Sequence, residues 1–487
     1  MLNSTRLWVF VLVGITILAS IVYLLPSYSQ PTNNYSKTDI IHTPTPTQTQ
    51  IQTQTPTETP TETPTETPTE TPTETQTPKP TTTPALTTTP EQTKKIIVGD
   101  LGHERDFPLD MKNFPWEEFK AAARTGKTEN TDKYSQMLIL TLAKYLIEPP
   151  LVPINESCKP EPLPTPSDDV CGKYPEVFSG KRDKPVKIGH LVQIGFDVDV
   201  LEIHLNELYD IVDHFFIIES TVTHYHRMLK PLIWEHVKFQ DRFIKFQDKV
   251  VHLILDDTDE ENGKDMFDAE RYQETRRWEK FLDWNKRTNL YGDEDIIGFG
   301  DTDEISARIN LHLLKNCQIK DIYAVDIGVW FPYGPIDQVF RPGYPVPGNP
   351  YTLGDPTYYT LKKAKAKPKS DPPSRNRGTS GHYMLGGMHM SHYGYLPFQM
   401  VKYLSCTECG ITREDQITNF SDDILNGKIQ ELELRLGKTK SDHVHKISKL
   451  SSMDDFFKKE VAILPWFYNC NRNRYPVWER KNDPRLF

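Results

Sequence analysis

Hydrophobic and polar positions change rhythm several times along the 487-residue chain. Leu7–Leu25 (LWVFVLVGITILASIVYLL) is a single uncharged apolar run. As a helix rising about 1.5 Å per residue it nearly spans a hydrocarbon core of about 30 Å. Arg6 precedes the run and no Lys or Arg follows until Lys37, so the positive-inside rule puts residues 1–6 in the cytosol and the rest on the far side. The pattern predicts a signal-anchor over 7–25 and a single-pass type II membrane protein. A cleaved signal peptide is the alternative, although its apolar core is usually shorter. Residues 26–93 then lose all apolar periodicity. Pro56, Pro60, Pro64, Pro68 and Pro72 recur every fourth residue in Thr-Pro-Thr-Glu units. Such a segment cannot form a helix and reads as a disordered, extended stalk, either O-glycosylated or a bare linker.

Residues 94–186 are mixed. Trp116–Ala123 and Lys133–Ile147 have helical spacing, and Pro149–Pro166 is a Pro-rich loop. This region is expected to be an accessory segment. From Lys187 the rhythm becomes regular. Ile188–Ile194 reads as a buried strand, and Leu201, Leu205, Leu208 and Val212 mark one face of a helix over Asp199–Tyr209. His214–Glu219 and Val250–Leu255 read as further strands, and Asp268–Lys286 as a charged helix. Asp295–Gly300 (DIIGFG), a helix over Ser306–Lys315 and an apolar strand over Asp321–Phe331 follow. Strand and helix alternating in this way predict an α/β domain over 187–487, its sheet mostly parallel and flanked by helices. The Pro- and Tyr-rich span Phe331–Tyr359 has no clear period. Lys362–Arg377 is basic and broken by Pro368, Pro372 and Pro373, an exposed flexible loop or a lid that carries cations towards phosphates. Helical segments are expected past Leu404, ending near Ile463–Trp478.

Composition sharpens this picture in three places. Hydrophobic residues are only 37% of the chain and Pro numbers 39, an imbalance the stalk largely explains. The net charge is −10, and half of it lies in 26–93; no basic surface is implied, so nucleic acid is not an expected partner. Six Cys are too few for a small disulfide scaffold. Cys158 and Cys171 lie in a Pro-rich stretch that a disulfide would staple, whereas Cys406 and Cys409 lack a second ligand pair for zinc. Pairing is not fixed by the sequence. Asn34, Asn155 and Asn419 begin sequons. Golgi or another secretory-pathway membrane, with the catalytic domain in the lumen, is the expected location.

The candidate chemistry lies at a strand end. Asp301-Thr-Asp303-Glu304 directly follows DIIGFG. Two carboxylates one residue apart suit Mn²⁺ or Mg²⁺ shared with phosphate oxygens, the need of a transfer from a nucleotide-sugar. Asp197-Val-Asp199, Asp257-Thr-Asp259 and Asp293-Glu-Asp295 share the spacing, and any one of these motifs can be a turn or a helix cap. Asp199 suits the cap of the first helix.

The blocks Asp199–Leu208 (DVLEIHLNEL), Ile211–Ser220 (IVDHFFIIES) with Lys230-Pro231-Leu232, Asp301–Arg308 (DTDEISAR) and Gly387-Met-His389-Met-Ser391 resemble glycosyltransferase family 17 in order and spacing. The resemblance covers about residues 187–480. It implies a fold of the GT-A type and an inverting transfer of GlcNAc from UDP-GlcNAc, with a divalent metal, to a mannose of a glycoprotein N-glycan. On that resemblance Asp301 and Asp303 hold the metal. Asp301, Asp303, Ser220 and Ser391 bind the donor; independently of the resemblance, Arg276 or Arg277 on the charged helix either reaches the diphosphate or lies on a solvated helix face. Glu304, Glu219 and His389 are the candidates for the base. The chain departs from the family pattern at His204, at His226-Arg227-Met228, at Ser306 and around His389, where Met388, Met390, His392 and Tyr393 stand. These departures bear on the acceptor more than on the donor. A transferase with another nucleotide-sugar and a stalked, non-catalytic lectin are the competing readings.

Overall fold

A computed structural model of the chain describes residues 113–257, 268–332, 336–342, 345–390, 396–405, 417–418 and 448–479. The expected anchor, the stalk, Ser391 and the Cys406/Cys409 pair lie outside the described residues. Among the described residues no helix is long and apolar enough to cross a membrane.

Two helices, α1 (Trp116–Arg124) and α2 (Thr128–Ile147), precede the sheet. The first βαβ unit forms as its periodicity requires, with β1 (Ile188–Gln193), α3 (Val198–Leu208) and β2 (His214–Ser220). A short helix α4 (Ile233–Val237), β3 (Val250–Leu255) and α5 (Asp268–Thr288) follow. Then come β4 (Ile296–Asp301), β5 (Glu304–Ser306), α6 (Arg308–Asn316) and β6 (Val325–Trp330). The chain continues through β7 (Pro345–Val346), β8 (Asn349–Thr360), α7 (Leu361–Ala366), β9 (Tyr383–His389) and α8 (Leu396–Ser405).

These strands form one nine-stranded sheet in the order β3-β2-β1-β4-β8-β6-β9-β5, with β7 paired to β8. The sheet is mixed, which corrects the expectation of a mostly parallel one. β3, β2, β1 and β4 are parallel. β8 runs antiparallel to both β4 and β6, and β9 is parallel to β6 but antiparallel to β5. The physical reason is the connection: a parallel return needs a crossover of a dozen or more residues, usually helical, and no helix separates β6 from β7 and β8 among the described residues. The sheet also curls. Thr302 and Asp303 alone join β4 to β5, and two residues reach only about 7 Å, yet β5 lies four strands from β4 in the pairing order. The far end of the sheet is thereby brought back to the carboxyl end of β4.

Both faces are buried. Val192, Ile296 and Ile217 pack into one apolar cluster with α3, α6, α1 and α2. Leu191, Ile297 and Phe299 pack into a second with Trp278, Phe281 and Trp284 of α5. The segment before the sheet is tied down covalently. Cys158 pairs with Cys470 and Cys171 with Cys317, so the two Cys expected to staple one loop each reach a distant part of the chain. Asn155 N–H also donates to Asn471 Oδ1 at 2.8 Å. Among the described residues from 448 to 479 the chain forms a π turn over Phe457–Val461, the short helix Trp466–Cys470 and single 3₁₀ turns.

Candidate active site

The turn Asp301–Glu304 is held from several sides. Glu304 Oε2 accepts the backbone N–H of Asp301 at 2.9 Å, closing the turn on itself. Thr302 donates its N–H and its hydroxyl to the Gln193 carbonyl on β1, at 3.1 and 2.8 Å. The Thr302 carbonyl meets His204 Nδ1 on α3 at 2.8 Å. The Asp303 carbonyl accepts from Met390 N–H at 2.7 Å. β9 pairs with β5 so that His389 stands opposite Glu304. That pairing needs a glycine: a Cβ on Gly387, where φ is 129°, would fall 2.4 Å from the Ile305 carbonyl oxygen.

These elements enclose a cavity of about 470 Å³ beyond the carboxyl ends of β1, β2 and β4, where open α/β sheets bind ligands. Its walls differ in chemistry. Asp197, Asp301, Asp303, Glu304 and Asp355 make an acidic floor, faced by Arg375 and Lys402. Gln193, Ser220, His224 and Gln273 form a polar wall, and Phe331, Phe340 and Phe398 an apolar one. The polar wall is internally bonded. Gln273 Oε1 takes Gln193 Nε2 at 3.0 Å and meets His224 Nε2 at 2.8 Å, while Gln273 Nε2 donates to Ser220 Oγ at 2.9 Å.

The electrostatics are dominated by burial among like charges. Burial raises Glu304 well above the usual carboxylate range, opposed by Arg375 and reinforced by Asp355 and Asp301. Asp197 is pushed up to about 7 by burial and by Asp303. Asp355 is pushed up to about 7 by burial, against Arg375 and Arg377. Asp303 goes the other way: burial raises it, but Lys402, His389 and Arg375 together hold it well below its ordinary value. Lys402 Nζ lies 2.9 Å from Asp303 Oδ2. Burial lowers His389 to about 4, so its imidazole is neutral at neutral pH. Its ring stands edge-on to Phe331 with centroids 4.5 Å apart.

The donor set fits a hard divalent cation. Asp303, Glu304 and His389 each offer a ligand atom, all within 4.8 Å of one another and all buried. Two carboxylate oxygens and an imidazole nitrogen suit Mn²⁺ or Mg²⁺. The excess of buried acid that raises Glu304, Asp197 and Asp355 is a field that such a cation would relieve.

Comparison with known proteins fits this arrangement. Residues 177–327, from shortly before β1 into β6, match the model of glycosyltransferase family 17. Those residues are similar to a glycosyltransferase family 17 domain. Over 136 residues it is 29% identical to the β-1,4-mannosyl-glycoprotein 4-β-N-acetylglucosaminyltransferase of Rattus norvegicus, covering 28% of this chain and 24% of the rat protein. The proteins of that name from Homo sapiens and Mus musculus are each 28% identical over the same length and shares. The match thus spans about a quarter of the length of these curated relatives.

The fold brings Asp301, Asp303, Glu304, His389 and Ser220 to one cavity. Ser220 is fully engaged there, donating to Asp257 Oδ2 at 2.8 Å and accepting from Val222 N–H at 3.1 Å. Glu219 is not brought in. It is wholly buried and accepts from Lys230 Nζ at 3.1 Å, from the Ile233 and Trp234 N–H groups that open α4, and from His252 Nε2 at 3.1 Å. Those four donors hold it ionised despite burial, a structural carboxylate behind β2. Arg276 points away, bonded to Tyr272 and paired with Glu279 on its own helix. Arg277 is wholly buried behind the acids, 3.6 Å from Asp301 and 3.6 Å from Glu274.

Several cavity residues were not singled out by the sequence. Arg375 is the largest omission: it lies in the basic run read as a flexible loop or lid, yet its guanidinium is buried among the acids. Lys402, on α8, has no motif around it. Asp197, not Asp199, occupies the N-cap position of α3, and Asp199 lies in its first turn. Asp199 pairs with Arg242 at 2.8 Å, and Asp197 is the one that faces the cavity.

Proposed function

We propose that this domain transfers GlcNAc from UDP-GlcNAc, with inversion, to a mannose of a glycoprotein N-glycan. The observation that carries the proposal is the convergence of Asp301, Asp303, Glu304 and His389 on one cavity at the strand ends of a family 17 domain. The names of the rat, human and mouse relatives support GlcNAc as the sugar and a mannosyl-glycoprotein as the acceptor. Asp303, Glu304 and His389, with Asp301 beside them, are the residues that would hold a divalent cation, which when bound supplies positive charge for the departing diphosphate. The acceptor oxygen attacks the sugar C1, the bond from C1 to the UDP oxygen breaks, and the acceptor proton passes to whichever of His389 and Glu304 the cation leaves unbound. The amide of Gln193 suits a nucleobase edge, and the Phe331–Phe340 wall suits an apolar sugar face.

We further propose that the protein works in an oxidising secretory compartment such as the Golgi. The two disulfides and the exposed Asn155 sequon support this. Thermal-shift measurements with UDP-GlcNAc, UDP-Gal and GDP-Man, with and without Mn²⁺, test the donor assignment. UDP-GlcNAc with Mn²⁺ is expected to give the largest rise in Tm. No shift with any of the three, with or without metal, would overturn the proposal.

A further inference from the structure

Arg375 makes more ionic contacts than any other cation of the cavity. Its Nη1 lies 2.5 Å from Asp301 Oδ2 and 2.9 Å from Glu304 Oε1. Its Nε and Nη2 reach Glu274 Oε1 at 3.1 and 2.8 Å, and Nη2 is 3.4 Å from Glu270. The side chain is only 8% exposed, and it lines the cavity. A guanidinium therefore bonds two of the carboxylates at the centre of the proposed cation site, Asp301 and Glu304.

The backbone that presents Arg375 is fixed. Asn376 N–H donates to Thr357 Oγ1 at 2.8 Å, Arg377 N–H to Asp355 Oδ1 at 3.2 Å, and Gly378 N–H to the Gly354 carbonyl at 2.9 Å. The loop lies so close to β8 that a Cβ on Gly354 would fall 2.4 Å from the Gly378 nitrogen. This segment is seated against the sheet, so only the long side chain is left to move. A second cation stays in place if it does. Arg277 Nη1 is 3.6 Å from Asp301 Oδ1, and its Nη2 is 3.6 Å from Glu274 Oε1.

The geometry points to an exchange of partners, and we propose it as a donor-binding role for Arg375. The guanidinium and the divalent cation compete for Asp301 and Glu304; as the cation takes those oxygens, Arg375 turns to the diphosphate of the incoming nucleotide-sugar. A planar fork of N–H donors suits two phosphate oxygens as well as it suits two carboxylates. The exchange conserves charge: carboxylates pass from Arg375 to the metal, and Arg375 passes to the diphosphate. This rests on the nucleotide-sugar reading above and adds to it the residue that couples metal binding to donor binding.

The coupling predicts effects of opposite sign in one variant. Mn²⁺ binding alone is followed by loss of the free-ion EPR signal, and UDP binding in saturating Mn²⁺ by calorimetry, for the wild type, Arg375→Gln and Arg375→Lys. Arg375→Gln is expected to bind Mn²⁺ about tenfold more tightly and UDP about tenfold more weakly. Arg375→Lys keeps the charge without the fork; it is expected to bind Mn²⁺ like the wild type and UDP several-fold more weakly. The lysine variant decides the question if the glutamine variant does not fold. Unchanged or weaker Mn²⁺ binding by Arg375→Gln, or wild-type UDP affinity in either variant, would overturn the exchange. A wild-type protein that binds Mn²⁺ but no UDP would instead remove the nucleotide-sugar reading, and the exchange with it.

Discussion

His204 Nδ1 lies 2.8 Å from the carbonyl oxygen of Thr302, the residue between the two aspartates of the acidic turn. His204 is wholly buried, and burial lowers its pKa to about 4, so it is neutral and Nδ1 carries the donated proton. Its substitution acts on the backbone that aims Asp301 and Asp303. His204→Ala is predicted to lower kcat about tenfold or more while the protein stays folded, since a lost buried hydrogen bond costs only about 1–3 kcal/mol. Far-UV CD, a thermal melt and steady-state kinetics check both parts. His204→Asn, which keeps a donor on a shorter side chain, is predicted to recover part of kcat.

Asp301→Asn and Asp303→Asn remove charge without changing shape. Each is predicted to reduce kcat/KM by about a hundredfold or more, the scale seen when an electrostatic partner of a developing charge is lost. The Tm of Asp303→Asn is expected to fall, because Lys402 loses the carboxylate that it holds well below its ordinary value. Full activity of both variants in EDTA would remove the metal assignment.

Glu219 sets a contrasting case. It joins β2 to α4 and β3 through Lys230, two backbone amides and His252. Glu219→Gln is predicted to destabilise the fold by about 3–5 kcal/mol, because Lys230 is left buried without its counter-charge. Chemical denaturation measures this. The folded fraction of the variant should still bind UDP with Mn²⁺.

The same network carries a pH signature. Burial lowers the His252 pKa, but hydrogen bonds to Glu219 and Glu235 outweigh it and raise the folded value above the model-compound 6.5. A raised histidine contributes stability that is fully present below pH 6.5 and is lost as pH rises through the folded value. Glu235 is held at about 2, against an ordinary 4.5, because hydrogen bonds and charge from His252 and Lys238 outweigh burial. Its contribution is present above 4.5 and lost as pH falls through 2. The stability difference between wild type and His252→Gln is therefore predicted to be largest near pH 5–6 and to shrink above it, as read from urea melts across that range.

The disulfide Cys171–Cys317 closes a loop of 146 residues. The double substitution Cys171→Ser/Cys317→Ser is predicted to cost about 2–5 kcal/mol and to lower Tm accordingly. Reducing agent should lower the wild-type Tm in the same direction and leave the double variant little changed beyond the effect of the other disulfide.

Much of the first half of the domain was legible because its strands are continuous apolar runs and its helices carry one apolar face. β1, β2 and β3 and the helices α3 and α5 begin within a few residues of where their periodicity puts them. β8 was hidden for a physical reason. Its sequence NPYTLGDPTYYT holds two Pro and a Gly, and the polar Thr352, Asp355 and Thr357 are buried in it, Asp355 lining the cavity. Without β8 the antiparallel half of the sheet could not be inferred, so the mixed topology was not accessible. The acidic turn was legible because local order places it at a strand end. Arg375 was not, because its partners lie 71 and 74 residues away at Glu304 and Asp301, and 101 residues away at Glu274. Arg276 and Arg277 show the limit of composition on a helix: adjacent positions face different ways, and only one is buried behind the acids.

The central claim is that the acidic turn supports transfer of a sugar from a nucleotide. The most direct measurement is mass-spectrometric detection of product. Purified protein is incubated with UDP-GlcNAc, Mn²⁺ and a mannose-terminated N-glycan, alongside Asp303→Asn and an EDTA control. The account predicts a glycan heavier by one N-acetylhexosamine, with UDP released in equal amount, in the wild-type reaction alone. Product formed equally by Asp303→Asn or in EDTA would contradict it, as would a wild type that binds the glycan and never extends it with any nucleotide-sugar.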